Sequence, residues 1–404
     1  METKARTHSF LRWLTPELAR RVGILVCQIM VAEYSLSFVF WYAQAQGLRD
    51  SSGTPLGADF LNIYAAGKLA LAGHAPQIYD WVAHGKIEQA VAGYPSPYFG
   101  WHYPPMFIAA AAVLAVLPYL GALALYLGAG FAAYVTVLRG LVPRVTGAVW
   151  AVVAFPGVFT NIINGQNAFI TTALFGAGFL FLETAPLQAG VAFGLLAYKP
   201  QFFAVIPLML AIGKYWRTLL ACLVTAAASA AASELLFGNE TWAAFFDSTR
   251  LTRHIILEKG STGWQKIQSV FSAARMLGCG IETAYVLQAV VALGALTACA
   301  WVWRRGASLA ARAGSLCATL LLTTPYALDY DLAILAVPIA LLARQGCEVG
   351  FSRDEKSILC ALWLLPLLAR FAGRIDIPLT PPLMAGLLVL CVTKTLCARF
   401  RPAA

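Results

Sequence analysis

Apolar stretches of about twenty residues, each long enough to cross the hydrocarbon core of a bilayer, recur along this chain from about Val22 to Leu396. Backbone in lipid finds no water to bond, so each stretch must close its own hydrogen bonds, as a helix or within a sealed barrel. Alternating ten-residue barrel strands are absent, which leaves a helix bundle. With 60% hydrophobic and 12% charged residues, the chain cannot be a soluble globule. The expected fold is an all-α polytopic membrane protein of about 12 transmembrane helices. Residues 22–398 form one membrane domain between a cytoplasmic segment, 1–21, and a cytoplasmic tail, 399–404. The first stretch, Val22 to Tyr42, is too long for a signal-peptide core and reads as a retained helix.

The net charge of +10 does not indicate nucleic acid, because the bases are dispersed among short loops and form no single stripe. They report topology instead. Lys4, Arg6, Arg12, Arg20 and Arg21 precede the first helix and place the N-terminus in the cytoplasm of a plasma (inner) membrane. Further clusters follow at Lys214 with Arg217, at Arg304, Arg305 and Arg312, at Arg344, Arg353 and Lys356, and at Lys394, Arg399 and Arg401. The same rule leaves outer loops at about 43–103 and 238–281 and a turn around Asp329–Asp331, so the chemistry is expected on the exterior face. About thirteen apolar candidates conflict with two cytoplasmic termini, so one of them is re-entrant or fused. The doubtful regions are Pro104–Leu138, broken at Pro118, and Leu187–Ile212, broken at Lys199-Pro200.

Several chemistries are excluded. No P-loop, GxSxG elbow or HExxH helix is present, which removes nucleotide hydrolysis, serine hydrolysis and zinc proteolysis. His74, His84 and His102 have no helical metal-ligand spacing, and no metal or other cofactor is expected. The nine cysteines form no CxxC pair and sit mostly in apolar runs, where they behave as small hydrophobes.

The first outer loop, about sixty residues long, exceeds ordinary bundle connections and reads as two short juxtamembrane helices, Phe60–Ala72 and Ile78–Val91. Their patterning suits amphipathic helices lying on the membrane surface. Asp59 stands at the entrance of the first helix. It reads equally as a general base for a hydroxyl group and as a cap for the free amides of the helix.

The string GADFLNIYAAGKLALAG (Gly57–Gly73), then IYD (Ile78–Asp80), YPP (Tyr103–Pro105), NGQN (Asn164–Asn167), YKPQ (Tyr198–Gln201) and Pro325 to Asp329-Tyr330, together resemble glycosyltransferase family 87. That family includes polyprenol-phosphate-mannose-dependent mannosyltransferases. The resemblance implies a C-type glycosyltransferase helix bundle and an inverting, hexose-transferring enzyme. Its donor would be a polyprenyl-phosphate sugar, its acceptor a lipid or glycan, and Asp59 its catalytic base. Where mannosyltransferase relatives carry a His beside the Tyr, this chain has Asp329, which points to a different sugar or acceptor.

Against that background Lys199, an intramembrane cation, is expected to meet the donor phosphate, or equally to pair with Glu33 or snorkel to an interface. Arg250 and Arg253 are further phosphate candidates; with His254, Trp242, Phe245, Phe246 and Trp264 they suit an anchor to membrane lipids equally well. Asn164, Gln166, Asp329, Tyr330, Asp331 and His102 are the candidates for binding sugar or acceptor. The competing expectation is a transporter or flippase of lipid-linked sugars, although the two halves of the chain show no repeat of the kind common in transporters.

Overall fold

The computed structural model describes residues 16–143 and 145–397; Lys4, Arg6 and Arg12, and the tail with Arg399 and Arg401, lie outside them. Among the described residues the chain is helical, with isolated bridges and no strand. A long α1 (Pro16–Ala43) is followed by α2 (Phe60–Leu71), a 3-10 turn at Ala75–Tyr79 and α3 (Trp81–Ala92). Next come α4 (Ile108–Leu114), α5 (Tyr119–Leu141), α6 (Ala148–Val153), α7 (Pro156–Asn164) and α8 (Ala168–Phe181). The middle of the chain holds α9 (Pro186–Leu195), α10 (Pro200–Phe203), α11 (Ile206–Ile212), α12 (Trp216–Phe237), α13 (Asn239–Thr252) and α14 (Val270–Met276). The last third is α15 (Ile281–Arg304), α16 (Leu309–Thr323), a 3-10 helix at Asp329–Leu335 running into α17 (Ala336–Val349), α18 (Glu355–Gly373) and α19 (Thr380–Cys397).

Seven of these units are long and apolar enough to cross a bilayer: α1, α5, α12, α15, the 329–349 unit, α18 and α19. Seven shorter apolar helices of 10–17 residues accompany them. Both doubtful regions are broken in the structure, the first into a short helix and a long one and the second into two short legs. At Pro118 the chain ends α4, which packs on α2, and begins the separate α5. At Lys199-Pro200 the proline opens α10, and Lys199 before it takes a non-helical conformation, so the apolar run becomes two short legs with Lys199 between them.

The juxtamembrane pair differs from the expectation of two surface-lying helices. Helix α2 is buried on almost every side, from Phe60 through Gly67 and at Leu69. Gly67 explains how α4 reaches it: a Cβ there would lie 2.1 Å from the carbonyl oxygen of Ala111. Helix α3 is more exposed and is well punctuated. The Asp80 carboxylate accepts from the amides of Val82 (2.8 Å) and Ala83 (3.1 Å), and Gly93 closes the helix in the left-handed conformation.

Helix α1 is the opposite extreme. None of its apolar window is buried, and its contacts run mainly to α6 and α7, including a Tyr34–Phe159 ring stack at 4.6 Å. Its outward Leu, Ile, Val and Phe side chains need a lipid solvent. The most enclosed elements are α16 and the 329–335 turn, the latter packed among α7, α8 and α18.

The cationic clusters collect at one set of helix ends. Arg312 contacts the Tyr215 hydroxyl and lies 3.3 Å from Glu183; Arg344 donates to the Leu141 carbonyl at 3.3 Å; Lys394 pairs with Glu355 at 2.7 Å. The connections 44–59, 93–104, 164–167, 256–266 and 326–331 meet elsewhere, around one cavity.

Candidate active site

That cavity has a volume of about 990 Å³ and is walled by residues from nine separate stretches of the chain. Asp59 projects into it. The turn that delivers Asp59 is unusual: Gly57 and Ala58 both have positive φ, +75° and +33°, and strain of this kind in a non-glycine residue persists only where surrounding structure enforces it. The enforcement is visible. Tyr119 donates to the Leu56 carbonyl at 2.7 Å, and the Asp59 amide donates to the Asn164 carbonyl at 3.0 Å.

The capping role does not materialise, because the Asp59 side chain makes no hydrogen bond to its own helix. Its Oδ2 instead accepts from Gln166 Nε2 at 2.6 Å. Burial pushes the Asp59 carboxyl above the ordinary aspartate range; the Gln166 hydrogen bond and the charges of Lys266 and Arg370 oppose that push. A carboxylate with one oxygen fixed by an amide and the other without a hydrogen bond among the described residues is suited to accept a proton.

NGQN brings Gln166 there by breaking the apolar run into α7 and α8. Gly165 is left-handed at φ +61°, and a Cβ on it would sit 2.1 Å from the Gly57 carbonyl oxygen and 2.8 Å from Phe60 Cβ. The Asn161 side chain accepts from the Ala168 amide at 2.8 Å, so the break is hydrogen-bonded internally. Gln166 also accepts from the Tyr103 hydroxyl at 3.2 Å, which fixes the orientation of the amide that holds Asp59. Asn164 lines the cavity, but its amide donates back to the Thr160 carbonyl at 2.8 Å.

Lys199 enters the cavity wall between α9 and α10, only 2% exposed, with its ammonium 2.5 Å from Asp331 Oδ1 and stacked near the Phe202 and Tyr330 rings. The buried partner is therefore Asp331, and not Glu33. Asp331 is fully occupied, since its Oδ2 accepts from the Leu328 amide at 3.0 Å and caps the 3-10 turn. Asp329 faces differently. Its Oδ1 accepts from the Tyr330 amide at 2.9 Å, while its buried Oδ2 has no hydrogen-bond partner and lies 3.5 Å from Arg370 Nη1.

His102 also lines the cavity, with Nδ1 3.2 Å from Thr252 Oγ1 and its ring edge-on to Tyr326. Burial, aided by His84, drives the His102 imidazole down to about 4, so it is neutral at physiological pH. His84 is fixed away from it, with one ring nitrogen 2.8 Å from the Ile78 carbonyl oxygen and the other 3.1 Å from that of Asn62. Among the described residues no group of three or more His, Cys, Asp or Glu is arranged to hold a metal.

Arg250 and Arg253 are not among the residues that wall the cavity. Arg253 is largely exposed and lies 3.3 Å from Glu258, which His254 also approaches at 3.1 Å. The cavity takes its other cations from elsewhere: Lys266, and Arg370 and Arg374 at the end of α18. Sequence reasoning missed these three, because a basic residue just past an apolar helix looks like any interfacial anchor.

No curated protein matches the chain, and no solved structure does. A family model, described as glycosyltransferase family 87, matches residues 101–325, more than half of the sequence.

Proposed function

Because the chain belongs to glycosyltransferase family 87, and is thus a membrane glycosyltransferase, we propose that it moves a hexose from a polyprenyl-phosphate sugar to a lipid or glycan acceptor. The observation that carries this reading is the Asp59–Gln166 pair, a carboxylate clamped on one oxygen in a cavity large enough for two substrates. In the proposed reaction Asp59 takes the proton of an acceptor hydroxyl as its oxygen attacks the anomeric carbon. The bond from that carbon to the phosphate oxygen breaks on the opposite face, and the phosphate leaves with the electron pair, inverting the centre. Asp329, through its unpartnered Oδ2, and Tyr330 line the same space and suit sugar hydroxyls.

The membrane arrangement belongs to the same proposal. Five shorter apolar helical units, Ala148–Asn164, Ala168–Phe181, Pro186–Tyr198, Pro200–Ile212 and Leu309–Thr323, join the seven long ones as full or re-entrant legs of a C-type bundle of about twelve membrane helices. The clustered arginines and lysines lie on the cytoplasmic side of the plasma membrane, and the cavity opens to the exterior.

The decisive assay reconstitutes the protein in liposomes with a radiolabelled polyprenyl-phosphate hexose and an extract of candidate acceptors. A new labelled glycosidic product is expected, stable to the mild acid that cleaves the glycosyl phosphate of the donor. Movement of the labelled lipid between leaflets with no product would mark a flippase and end the glycosyltransferase reading.

The close approach at Gly165 supplies a second expectation. Gly165→Ala adds a methyl against the Gly57 carbonyl, and relief requires the Asp59 turn to move away from Gln166. Misplacement by a fraction of an ångström to 1 Å predicts a fall in kcat on the order of 10²-fold with a smaller change in KM. Steady-state kinetics of that variant check it; unchanged kcat would mean that the contact does not position the base.

A further inference from the structure

We propose that Lys266 and Arg370 form the binding site for the phosphate of the lipid-linked donor, with Asp329 beside them receiving a sugar hydroxyl. This rests on the glycosyltransferase reading and deepens it. Four cations wall the cavity, and one is already committed to a buried ion pair. Lys199 is discharged by Asp331 at 2.5 Å, and the exposed Arg374 lies over the Phe371 ring. The Lys266 backbone amide donates to the Gly263 carbonyl at 3.0 Å, while its ammonium has no hydrogen bond or ion pair among the described residues. Arg370 has one ion pair, to Asp329 Oδ2 at 3.5 Å, too long for a good hydrogen bond.

The looseness of that last pair is informative. It leaves guanidinium donors unfilled on one side and a buried carboxylate oxygen unfilled on the other. Buried polar groups seldom stay unpaired without a partner to come. A sugar phosphate supplies both complements in one molecule: phosphate oxygens for Arg370 and Lys266, and a hydroxyl for Asp329 Oδ2. Both cations wall the same cavity as Asp59, and their charges oppose the rise that burial gives its carboxyl.

Three segments are locked into the ledge that presents these groups. A Cβ on Gly373 would come 2.9 Å from Gln265 Cβ, so the 264–266 turn lies directly on the last turn of α18. Ile267 bridges Leu328, and the Gln268 amide donates to the Ala327 carbonyl at 2.6 Å, tying the same turn to the segment that carries Asp329. Thr380 Oγ1 donates to Gln268 Oε1 at 2.6 Å and fixes α19 to it. The ledge is thus preorganised to meet the charge that accumulates on a departing phosphate. Phe371 on α18 and Phe38 and Trp41 on α1 wall the same cavity and would offer an apolar surface to the polyprenyl chain.

The experiment measures binding of a long-chain polyprenyl monophosphate to the full-length protein in nanodiscs, with the neutral polyprenol and inorganic phosphate as comparison probes. Affinity for the lipid phosphate should fall about 10-fold or more in Lys266→Gln and in Arg370→Gln, and about 100-fold in the double variant. Arg370→Lys should be intermediate, since it keeps charge and loses the fork. Arg250→Gln/Arg253→Gln should bind as the native protein does. Polyprenol should bind weakly and equally to all variants. If Arg370→Lys and the double variant bind lipid phosphate within twofold of native, at unchanged unfolding midpoints, the site is overturned. Inorganic phosphate binding as tightly as the lipid would overturn the lipid assignment. Native protein that binds lipid phosphate through these residues yet transfers no sugar upholds the site and sinks the reaction.

Discussion

Asp59→Asn should abolish sugar transfer, lowering kcat by about 10²–10⁴-fold while leaving the affinity for the lipid donor within about twofold. The substitution is nearly isosteric, and an asparagine oxygen can still accept from Gln166 Nε2, so the turn from Gly57 and the contact with Asn164 survive. What disappears is the acceptor of the proton. The pH profile adds a second readout. Burial raises the Asp59 carboxyl, and the base works only when ionised, so native activity should be lost on acidification at a pH above the ordinary aspartate value of about 3.9. The Asn variant should lack that acid limb. Near-native turnover in Asp59→Asn, with product confirmed by mass spectrometry, would remove Asp59 from the chemistry.

Lys199→Met should be the most destabilising single substitution in the cavity wall. It strands the Asp331 carboxylate, 3% exposed, with only the Leu328 amide for company, and breaking a buried pair from one side typically costs about 3–5 kcal/mol. Neutralising both ends should undo most of the loss: in Lys199→Met/Asp331→Asn the amide oxygen can still cap the turn at Leu328, and no bare charge remains. Unfolding in detergent titrated with dodecyl sulfate measures this directly. Equal midpoints for the native and Lys199→Met proteins would contradict the pairing. Turnover of the double variant then separates two roles for Lys199: recovery of both stability and rate identifies a lysine that serves the scaffold, whereas recovery of stability alone identifies one that also touches substrate.

Much of the architecture was legible in the sequence because lipid imposes one dominant rule, and runs such as Ile281–Arg304 or Tyr119–Leu141 obey it without ambiguity. The packing of α2 was not. Leu, Tyr and Ala at helical spacing look the same whether a helix rests on a membrane or is wrapped by protein; the informative residue was Gly67, whose missing side chain admits α4. The breaks at Pro118 and Lys199-Pro200 were visible as breaks, but only packing partners distinguish a short helix against α2 from part of a span.

The cavity was legible in part. Asp59, Gln166 and the adjacent pair Asp329-Tyr330 come from three distant parts of the sequence, and the order of short motifs pointed to their meeting before any geometry did. The structure joins Gln166 directly to Asp59 and leaves Asp329 Oδ2 unpartnered in the shared wall. For Lys199 the sequence supplied the cost of a buried ammonium, and the choice of Asp331 over Glu33 required coordinates. Arg370 and Lys266 carried no local signal, since their meaning depends on Gly373 seating one chain segment against another.

Helix α1 forms a wall of the cavity through Phe38, Trp41 and Tyr42, yet the remainder of the protein holds it by a few aromatic and backbone contacts near Phe159 and Ala154. Its tilt is therefore set largely by the surrounding lipid. In a thinner membrane a 28-residue helix must lean further to hide its apolar length, and in a thicker one it stands upright. If the proposed prenyl donor enters past α1, transfer should vary with acyl-chain length, which reconstitution in vesicles of different thickness would test.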